Sequence, residues 1–236
     1  MKLSIIIPVF NEEKTITQVL EKVVLLKLPG VEKEIIVVDD GSTDSSKFKI
    51  QNLKFMEIKF FSHEKNQGKG AAVKTGIKNA TGDYIIIQDA DLEYNPKDIQ
   101  KLMEPILNGK AKVVYGTRLK RLPNFSKDEK KLRFFVHYLG NKFLSLLTSI
   151  LYRQWITDME TGYKLIPRGV LQKITLHARS FDFEPEITAK ILKNHIKILE
   201  IPISTNPRGY DQGKKLNTVK DGIFAFMTLL KYRFFE

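Results

Sequence analysis

The triplet Asp89-Ala90-Asp91 follows an apolar run, Tyr84 to Gln88, that reads as a buried strand. Two carboxylates one residue apart at a strand end project close together from the turn. Their hard oxygens suit Mg²⁺ or Mn²⁺, which also accept phosphate oxygens and water. A cation held there can neutralise a departing diphosphate, and Glu93 offers a third, weaker ligand. Taken alone, the triplet fits a turn with two solvated acids equally well. Asp40, beyond a second apolar run, has a different chemistry open to it. A carboxylate so placed accepts hydrogen bonds from a nucleobase or ribose, or the turn Asp39-Asp40-Gly41-Ser42 caps the next helix through Ser42, Thr43 or Asp44. Gly68-Lys69-Gly70 has the composition of a phosphate-cradling loop without Walker A spacing, so a tight turn before a helix is the plainer reading.

These clusters need elements to position them. Leu3 to Val9 and Glu34 to Val38 are β-branched runs that predict buried strands, and further strands are expected at Phe55 to Phe61, Tyr84 to Gln88 and Lys112 to Tyr115. Helical spacing alternates with them over Glu12 to Lys27, Ala71 to Ala80 and Asn95 to about Asn108. That alternation predicts an α/β fold with a mostly parallel, Rossmann-like sheet flanked by helices. Ligands of such sheets bind beyond the carboxyl ends of the strands, where Asn11-Glu12, Asp39-Asp40 and Asp89-Ala90-Asp91 all stand. The second half is less regular. Helices are expected at Lys131 to Arg153 and Glu184 to Lys193, a strand at Ile196 to Ile203, and an apolar, aromatic tail from Asp221 to Glu236. The helix at 131–153 carries one polar stripe (Arg133, His137, Asn141, Ser145) and one apolar stripe that includes Phe135, Val136, Leu139, Phe143, Leu146 and Ile150. The division expected is a catalytic domain over 1–210 and a basic, aromatic loop and amphipathic helix over 211–236.

The bulk composition narrows the classes. No cysteine is present, which excludes disulfides and thiolate metal sites. Lysine and arginine number 39 against 27 aspartates and glutamates, a net charge of +12 that favours anionic partners: phosphorylated ligands, anionic lipid or nucleic acid. None of the interleaved aromatic and basic signatures of RNA binders occurs, so nucleic acid is not an expected partner. No signal peptide and no apolar stretch of spanning length is read.

Taken together, Ile5-Ile6-Ile7-Pro8-Val9-Phe10-Asn11-Glu12, Val37-Val38-Asp39-Asp40-Gly41-Ser42-Thr43-Asp44, Asn66-x-Gly68-Lys69-Gly70 and Gly82-Asp83-Tyr84 leading to Asp89-Ala90-Asp91 resemble family 2 glycosyltransferases, most closely the dolichyl-phosphate mannose synthases and related polyprenyl-phosphate transferases. The resemblance is strong over about residues 1 to 118. It implies a GT-A fold with a helical C-terminal extension, inversion at the anomeric carbon, and Mg²⁺ or Mn²⁺ as cofactor. It also implies roles. Pro8, Phe10, Glu12, Val38 and Asp40 line the nucleotide pocket, with Lys69 beside the donor. Asp89, Ala90, Asp91 and Glu93 hold metal and diphosphate, although Glu93 stands where glutamine is common and Phe10 where tyrosine is. Downstream, Gly116-Thr117-Arg118 resembles the family's Gly-Ser-Arg, and Arg118 offers its planar fork to a phosphate. Asp158, in Asp158-Met159-Glu160-Thr161-Gly162-Tyr163-Lys164, is the candidate for a general base or an acceptor-positioning acid, and Glu184 is a residue that can face the sugar. Arg208, in the basic loop around 207–215, is expected to fold over the donor.

The activity so implied is transfer of a hexose from a nucleotide-diphosphate sugar to a polyprenyl phosphate at the cytoplasmic face of a membrane, with peripheral attachment. A lipid phosphate is already an anion and needs no strong base; a hydroxyl acceptor requires Asp158 to deprotonate it. Transfer to a hydroxyl of a glycan or small acceptor is therefore the alternative, and a non-catalytic anion-binding or nucleic-acid-binding protein the remote one.

Overall fold

The computed structural model describes residues 1–53, 58–118, 132–180, 182–206 and 218–236. In chain order its elements are β1 (Lys2–Val9), α1 (Ile16–Val24), β2 (Glu32–Asp39), α2 (Ser46–Asn52), β3 (Ile58–Ser62), α3 (Lys69–Asn79), β4 (Tyr84–Ile87), α4 (Asp98–Leu107), β5 (Val113–Thr117), α5 (Leu132–Tyr152), β6 (Lys164–Pro167), α6 (Arg168–Leu171), α7 (Phe183–Lys193), β7 (Ile198–Pro202) and α8 (Thr218–Phe234).

The apolar run of β1 is buried on both faces, as a strand must be when helices cover both sides of a sheet. Period-two alternation divides it. Ile6 joins Ile36, Val38, Ile85 and Ile87 on the face covered by α3, α5, α7 and α8. Leu3, Ile5, Ile7 and Val9 join Ile35, Val37 and Ile86 on the face covered by α1 and α4. The sheet order is β3-β2-β1-β4-β6-β5-β7. The expected α/β architecture is present, with one strand that the sequence does not disclose. Lys164–Pro167 forms β6, which pairs antiparallel with both β4 and β5, while every other pairing is parallel. Because β6 runs backwards, the segment entering it, residues 158–163, reaches the rim where β1, β2, β4 and β5 end.

Glu34 locks the opposite end of the sheet. Its carboxylate accepts hydrogen bonds from the Ser4 hydroxyl at 2.5 Å, the Thr81 N–H and hydroxyl at 2.8 Å each, and the Lys59 ammonium at 2.6 Å. Burial alone would raise its pKa, but Lys59, Ser4 and Thr81 together pull it down to about 2. A depressed folded pKa stabilises above the unfolded value and is lost as pH falls through the folded one. Glu34→Gln should therefore lower unfolding free energy at pH 7 by roughly 2–3 kcal/mol. The gap from wild type should close between about pH 4.5 and 2, as read from urea midpoints at a series of pH values.

Helix α5 buries a mixed face, in which Leu144 and Tyr152 join the core beside polar side chains. Asn141, Ser145, Thr148 and Ser149 are buried, whereas Phe135, Val136, Leu139, Phe143, Leu146 and Ile150 are exposed, Ile150 by 67%. The inward hydroxyls are all employed. Ser145 accepts from Met159 N–H at 3.0 Å, Ser149 accepts from Ile156 N–H at 2.9 Å, and Thr148 donates to the Leu144 carbonyl at 2.7 Å. The polar stripe is thus spent on holding the segment that enters β6, which leaves the apolar stripe to the surface. Helix α8 packs beside it, with Ala225, Leu229 and Tyr232 inward and Ile223, Phe224, Met227, Phe234 and Phe235 exposed. The Tyr152 hydroxyl donates to the Leu229 carbonyl at 2.8 Å and the Tyr232 hydroxyl to Glu186 at 2.7 Å, tying α8 to α5 and α7. The boundary expected at 210/211 lies outside the described residues, as do Arg208 and the 207–215 loop. No described helix is long and apolar enough to cross a membrane.

Candidate active site

A cavity of about 380 Å³ opens at the carboxyl rim of the sheet. Its floor comes from β1 and β2 through Pro8, Phe10, Glu12 and Asp40, and from the start of α3 through Gly68 and Lys69. The other wall carries Asp89, Ala90, Asp91, Glu93 and Tyr94 after β4, Arg118 after β5, Glu160 and Gly162 before β6, and Glu184 at the start of α7. Of the residues expected to bind the donor, Pro8, Phe10, Glu12, Asp40, Lys69, Asp89, Ala90 and Arg118 are brought together here. Val38 is not: its side chain is fully buried in the core, because alternation along a central strand turns it away from the rim.

The loops of the floor are stitched to one another. Asn11 adopts a φ of 51°, its N–H donates to Ser42 at 3.0 Å, and its Oδ1 accepts from Thr43 N–H at 2.8 Å. Asp44 accepts from Glu13 N–H at 3.1 Å and from Ser46 N–H at 2.9 Å. The capping expected of Ser42, Thr43 or Asp44 is mostly replaced by this cross-loop bonding. Loop residues 11–15 also explain why α1 begins at Ile16 rather than at Glu12. Asp40 is likewise committed: it accepts from the N–H groups of Gln67 and Gly68 at 3.0 and 2.8 Å and meets His63 Nδ1 at 2.6 Å. It thereby fixes the loop ahead of α3. Gly68 is needed there, since its φ is 96° and a Cβ would lie 2.1 Å from the Arg179 carbonyl oxygen.

Lys69, at the first turn of α3, bridges Asp89 and Glu184 at 2.9 Å each. Burial favours loss of its proton, but the two carboxylates outweigh it and hold the pKa well above the ordinary lysine value. The metal expected at Asp89, Asp91 and Glu93 meets a partial site. Among the described residues no three side chains of ligand type are gathered into a cage. Asp89 gives one oxygen to Lys69, and Asp91 accepts from Glu93 N–H at 3.0 Å. The remaining carboxylate oxygens bordering the cavity are hard donors. Mg²⁺ or Mn²⁺ fits such a set, because these ions take one or two carboxylates and complete their shell with water and substrate phosphates. Gly162 keeps this corner open, since a Cβ there would come within 2.6 Å of Asp89 Oδ2.

Asp158 is placed differently from the expectation. It is fully buried and absent from the cavity wall. Both its oxygens meet Arg118: Nε donates to Oδ2 at 2.8 Å and Nη2 to Oδ1 at 2.7 Å, with the Arg118 N–H adding a bond at 2.9 Å. Its own N–H donates to Glu200 of β7 at 3.0 Å. A carboxylate so engaged orients the guanidinium and is not offered to an acceptor proton. Burial opposes the charge on Arg118, but Asp158 and its other neighbours raise its pKa further.

Three features escape the sequence. Tyr94 stacks on Tyr163 with ring centroids 4.6 Å apart and accepts a hydrogen bond from Gly162 N–H at 2.9 Å, holding the β6 approach against the β4 rim. The Lys69–Glu184 pair joins residues far apart in sequence. Glu160 borders the cavity with a solvent-sealed Oε1 that has no hydrogen-bond partner. Burial first, then Glu184, pushes its pKa up to about 7, against the pull of Lys164 and Arg118. Lys164, whose ammonium donates to the carbonyls of Met159 and Thr161, is pushed the other way by burial.

The profile of Glycosyl transferase family 2 matches residues 4–175. A UDP-N-acetylglucosamine–dolichyl-phosphate N-acetylglucosaminyltransferase from Methanococcus voltae is 31% identical over 96% of this chain and 94% of its own length. A dolichol-phosphate mannosyltransferase from Pyrococcus furiosus is 29% identical over 98% of this chain and 64% of its own. Among solved structures, glucosyl-3-phosphoglycerate synthase from Mycobacterium tuberculosis, in complex with Mn²⁺, UDP and glucosyl-3-phosphoglycerate, has a similar fold at a TM-score of 0.72 and 20% identity, over 98% of this chain and 80% of that one. The rim chemistry, the extent of the profile match and the near full-length match to the Methanococcus voltae relative agree that this chain belongs to glycosyltransferase family 2.

Proposed function

We propose that the protein transfers a hexose from a nucleoside diphosphate sugar to a polyprenyl phosphate at a membrane surface, with inversion at the anomeric carbon. The observation that carries this reading is that the segment supplying one wall of the cavity hangs from a helix whose outer face is apolar. The segment bearing Glu160 and Gly162 is hydrogen-bonded to the inner face of α5, whose outer face is apolar. The names of the relatives point to dolichyl phosphate as the acceptor class.

The nucleoside lies along Pro8, Phe10, Glu12 and Asp40, and the diphosphate extends towards Lys69, Asp91 and Arg118. Asp91, with Asp89 or Glu93, would hold Mg²⁺ or Mn²⁺, which would supply positive charge against the leaving diphosphate. Arg118, oriented by Asp158, adds a fixed cation whose guanidinium suits phosphate oxygens. An acceptor phosphate oxygen forms the new bond to the anomeric carbon while the bond from that carbon to the diphosphate breaks and the nucleoside diphosphate leaves with the electron pair. The acceptor is ionised beforehand, so no group has to remove a proton, in keeping with the commitment of Asp158 to Arg118.

The test supplies radiolabelled UDP- and GDP-hexoses with vesicles containing either a polyprenyl phosphate or the matching polyprenol. Label in the organic phase with the phosphate alone is expected. Transfer only to polyprenol or to a water-soluble glycan would sink the proposal.

The exposed stripes of α5 and α8, with Lys142, Lys231 and Arg233 on the same helices, fit an anionic lipid surface. Phe143→Glu combined with Ile150→Glu should lower co-sedimentation with vesicles of one-third anionic lipid at least tenfold, since two apolar anchors are replaced by charge. Both side chains are exposed, so unfolding midpoints should stay near wild type. Unchanged sedimentation would remove α5 as the docking face.

A further inference from the structure

The charged groups around Glu160 come from four directions. Lys164 stands on β6, Glu184 on α7, Arg118 after β5 and Asp158 on the same loop as Glu160 itself. Each of the others is already matched. Glu184 shares Lys69 with Asp89, Arg118 is bound to Asp158, and Lys164 donates to two main-chain carbonyls. Glu160 is the exception: it borders the cavity, and its Oε1 is sealed from solvent and bonded to nothing. A buried carboxyl oxygen without a partner is costly, and an ionised one more so. Protonation relieves part of that cost and gives the carboxyl, on the wall of the cavity, an O–H to donate. Glu160 also follows directly on the segment tied to the inner hydroxyls of α5, through the N–H groups of Ile156 and Met159.

We propose that Glu160 receives the phosphate of the acceptor as a neutral carboxylic acid, donating its O–H to a phosphate oxygen, so that acceptor binding carries one proton from solvent onto the enzyme. This rests on the proposed transfer to a polyprenyl phosphate. An ionised Glu160 would repel the anion; a protonated one supplies the donor that an acceptor-only carboxylate lacks. In the free protein the group already titrates near neutral pH, and a bound anion opposes its ionisation further. It is therefore protonated below its free pKa of about 7 and ionised above it, and the ionised form must take up a proton to bind. The second ionisation of a phosphate monoester, at about 6, is nearly complete above pH 7, so above that pH the acceptor's own charge is constant.

Two measurements decide the matter. The acceptor KM should rise by up to about tenfold per pH unit above about pH 7, with the donor KM and kcat little changed. In Glu160→Gln, which keeps a neutral donor of the same size, the rise should vanish and transfer persist. Calorimetric titration with farnesyl phosphate at pH 8, in buffers of different ionisation enthalpy, should show uptake of about one proton by the wild-type protein and almost none by Glu160→Gln. A KM rise of undiminished size in Glu160→Gln, or no uptake at pH 8, overturns the assignment. Loss of turnover in folded Glu160→Gln at every pH, with KM unchanged, also overturns it and makes Glu160 a general base. If wild-type protein transfers nothing to polyprenyl phosphate at any pH, the proposed function fails instead, an outcome the same assay separates from the others.

Discussion

Asp91→Asn should lower kcat by about two to three orders of magnitude, the loss typical of removing one group that stabilises developing charge at a transition state. The variant isolates charge from architecture. Asp91 is half-buried at the rim, and the local bond that shapes its turn, Glu93 N–H to Oδ1 at 3.0 Å, is available to an asparagine carbonyl. Thermal stability should hardly change. Binding of Mn²⁺ in the presence of a nucleoside diphosphate, followed by the paramagnetic signal of the free ion, should weaken in parallel with kcat. Asp89 offers a contrast, because its carboxylate also answers Lys69 and its loss would leave that ammonium with Glu184 alone. Wild-type turnover in Asp91→Asn would remove the metal from its proposed place.

The Arg118–Asp158 pair carries the second large expectation. Asp158 is fully buried and the Arg118 side chain only 20% exposed. Removing either partner strands a buried charge, at a cost of about 3–5 kcal/mol in unfolding free energy. Removing both, as Arg118→Met with Asp158→Asn, should cost less than the sum, and the coupling should be plain in urea melts. Activity should follow the same logic. Arg118→Met is expected to lower kcat about a hundredfold, Asp158→Asn to lower it through a misdirected guanidinium, and the double variant to be scarcely worse than Arg118→Met. Multiplicative losses, with a pH limb that disappears in Asp158→Asn, would instead show Asp158 moving a proton of its own.

The parts of this molecule that were legible in its sequence are those made by local patterns. Buried strands announce themselves as β-branched runs, so β1, β2 and β4 and the acids that follow them stand where the runs end. The antiparallel β6 was hidden because four residues opened by a lysine look like a loop; Lys164 is buried only because two carbonyls of its own segment and the Tyr115 ring receive it. The stripes of α5 were visible, but not which one faces inward. That depends on Met159 and Ile156 needing acceptors, a fact of tertiary packing. Pairs such as Lys69 with Glu184 and Arg118 with Asp158 join distant stretches, and each member alone reads as a solvated charge. Glu160 was the least visible, because nothing in a local pattern shows that the Lys164 and Arg118 near it are bonded elsewhere and leave its Oε1 without a partner.

The sheet order also bears on how the protein is made. β1 to β4 occupy four adjacent places, joined by parallel crossovers, and all lie within the first 87 residues. That block can close while the rest of the chain is still being synthesised. β5 has no such option. Its strand neighbours are β6 and β7, so it waits for the chain to reach residue 164 and then 202. The nucleotide end of the cavity is thus assembled from early, near-neighbour contacts, and the acceptor end from late ones of long sequence separation, the kind that slow folding. A nascent chain halted after β5 would present a finished floor for a nucleotide and an unpaired strand beside it.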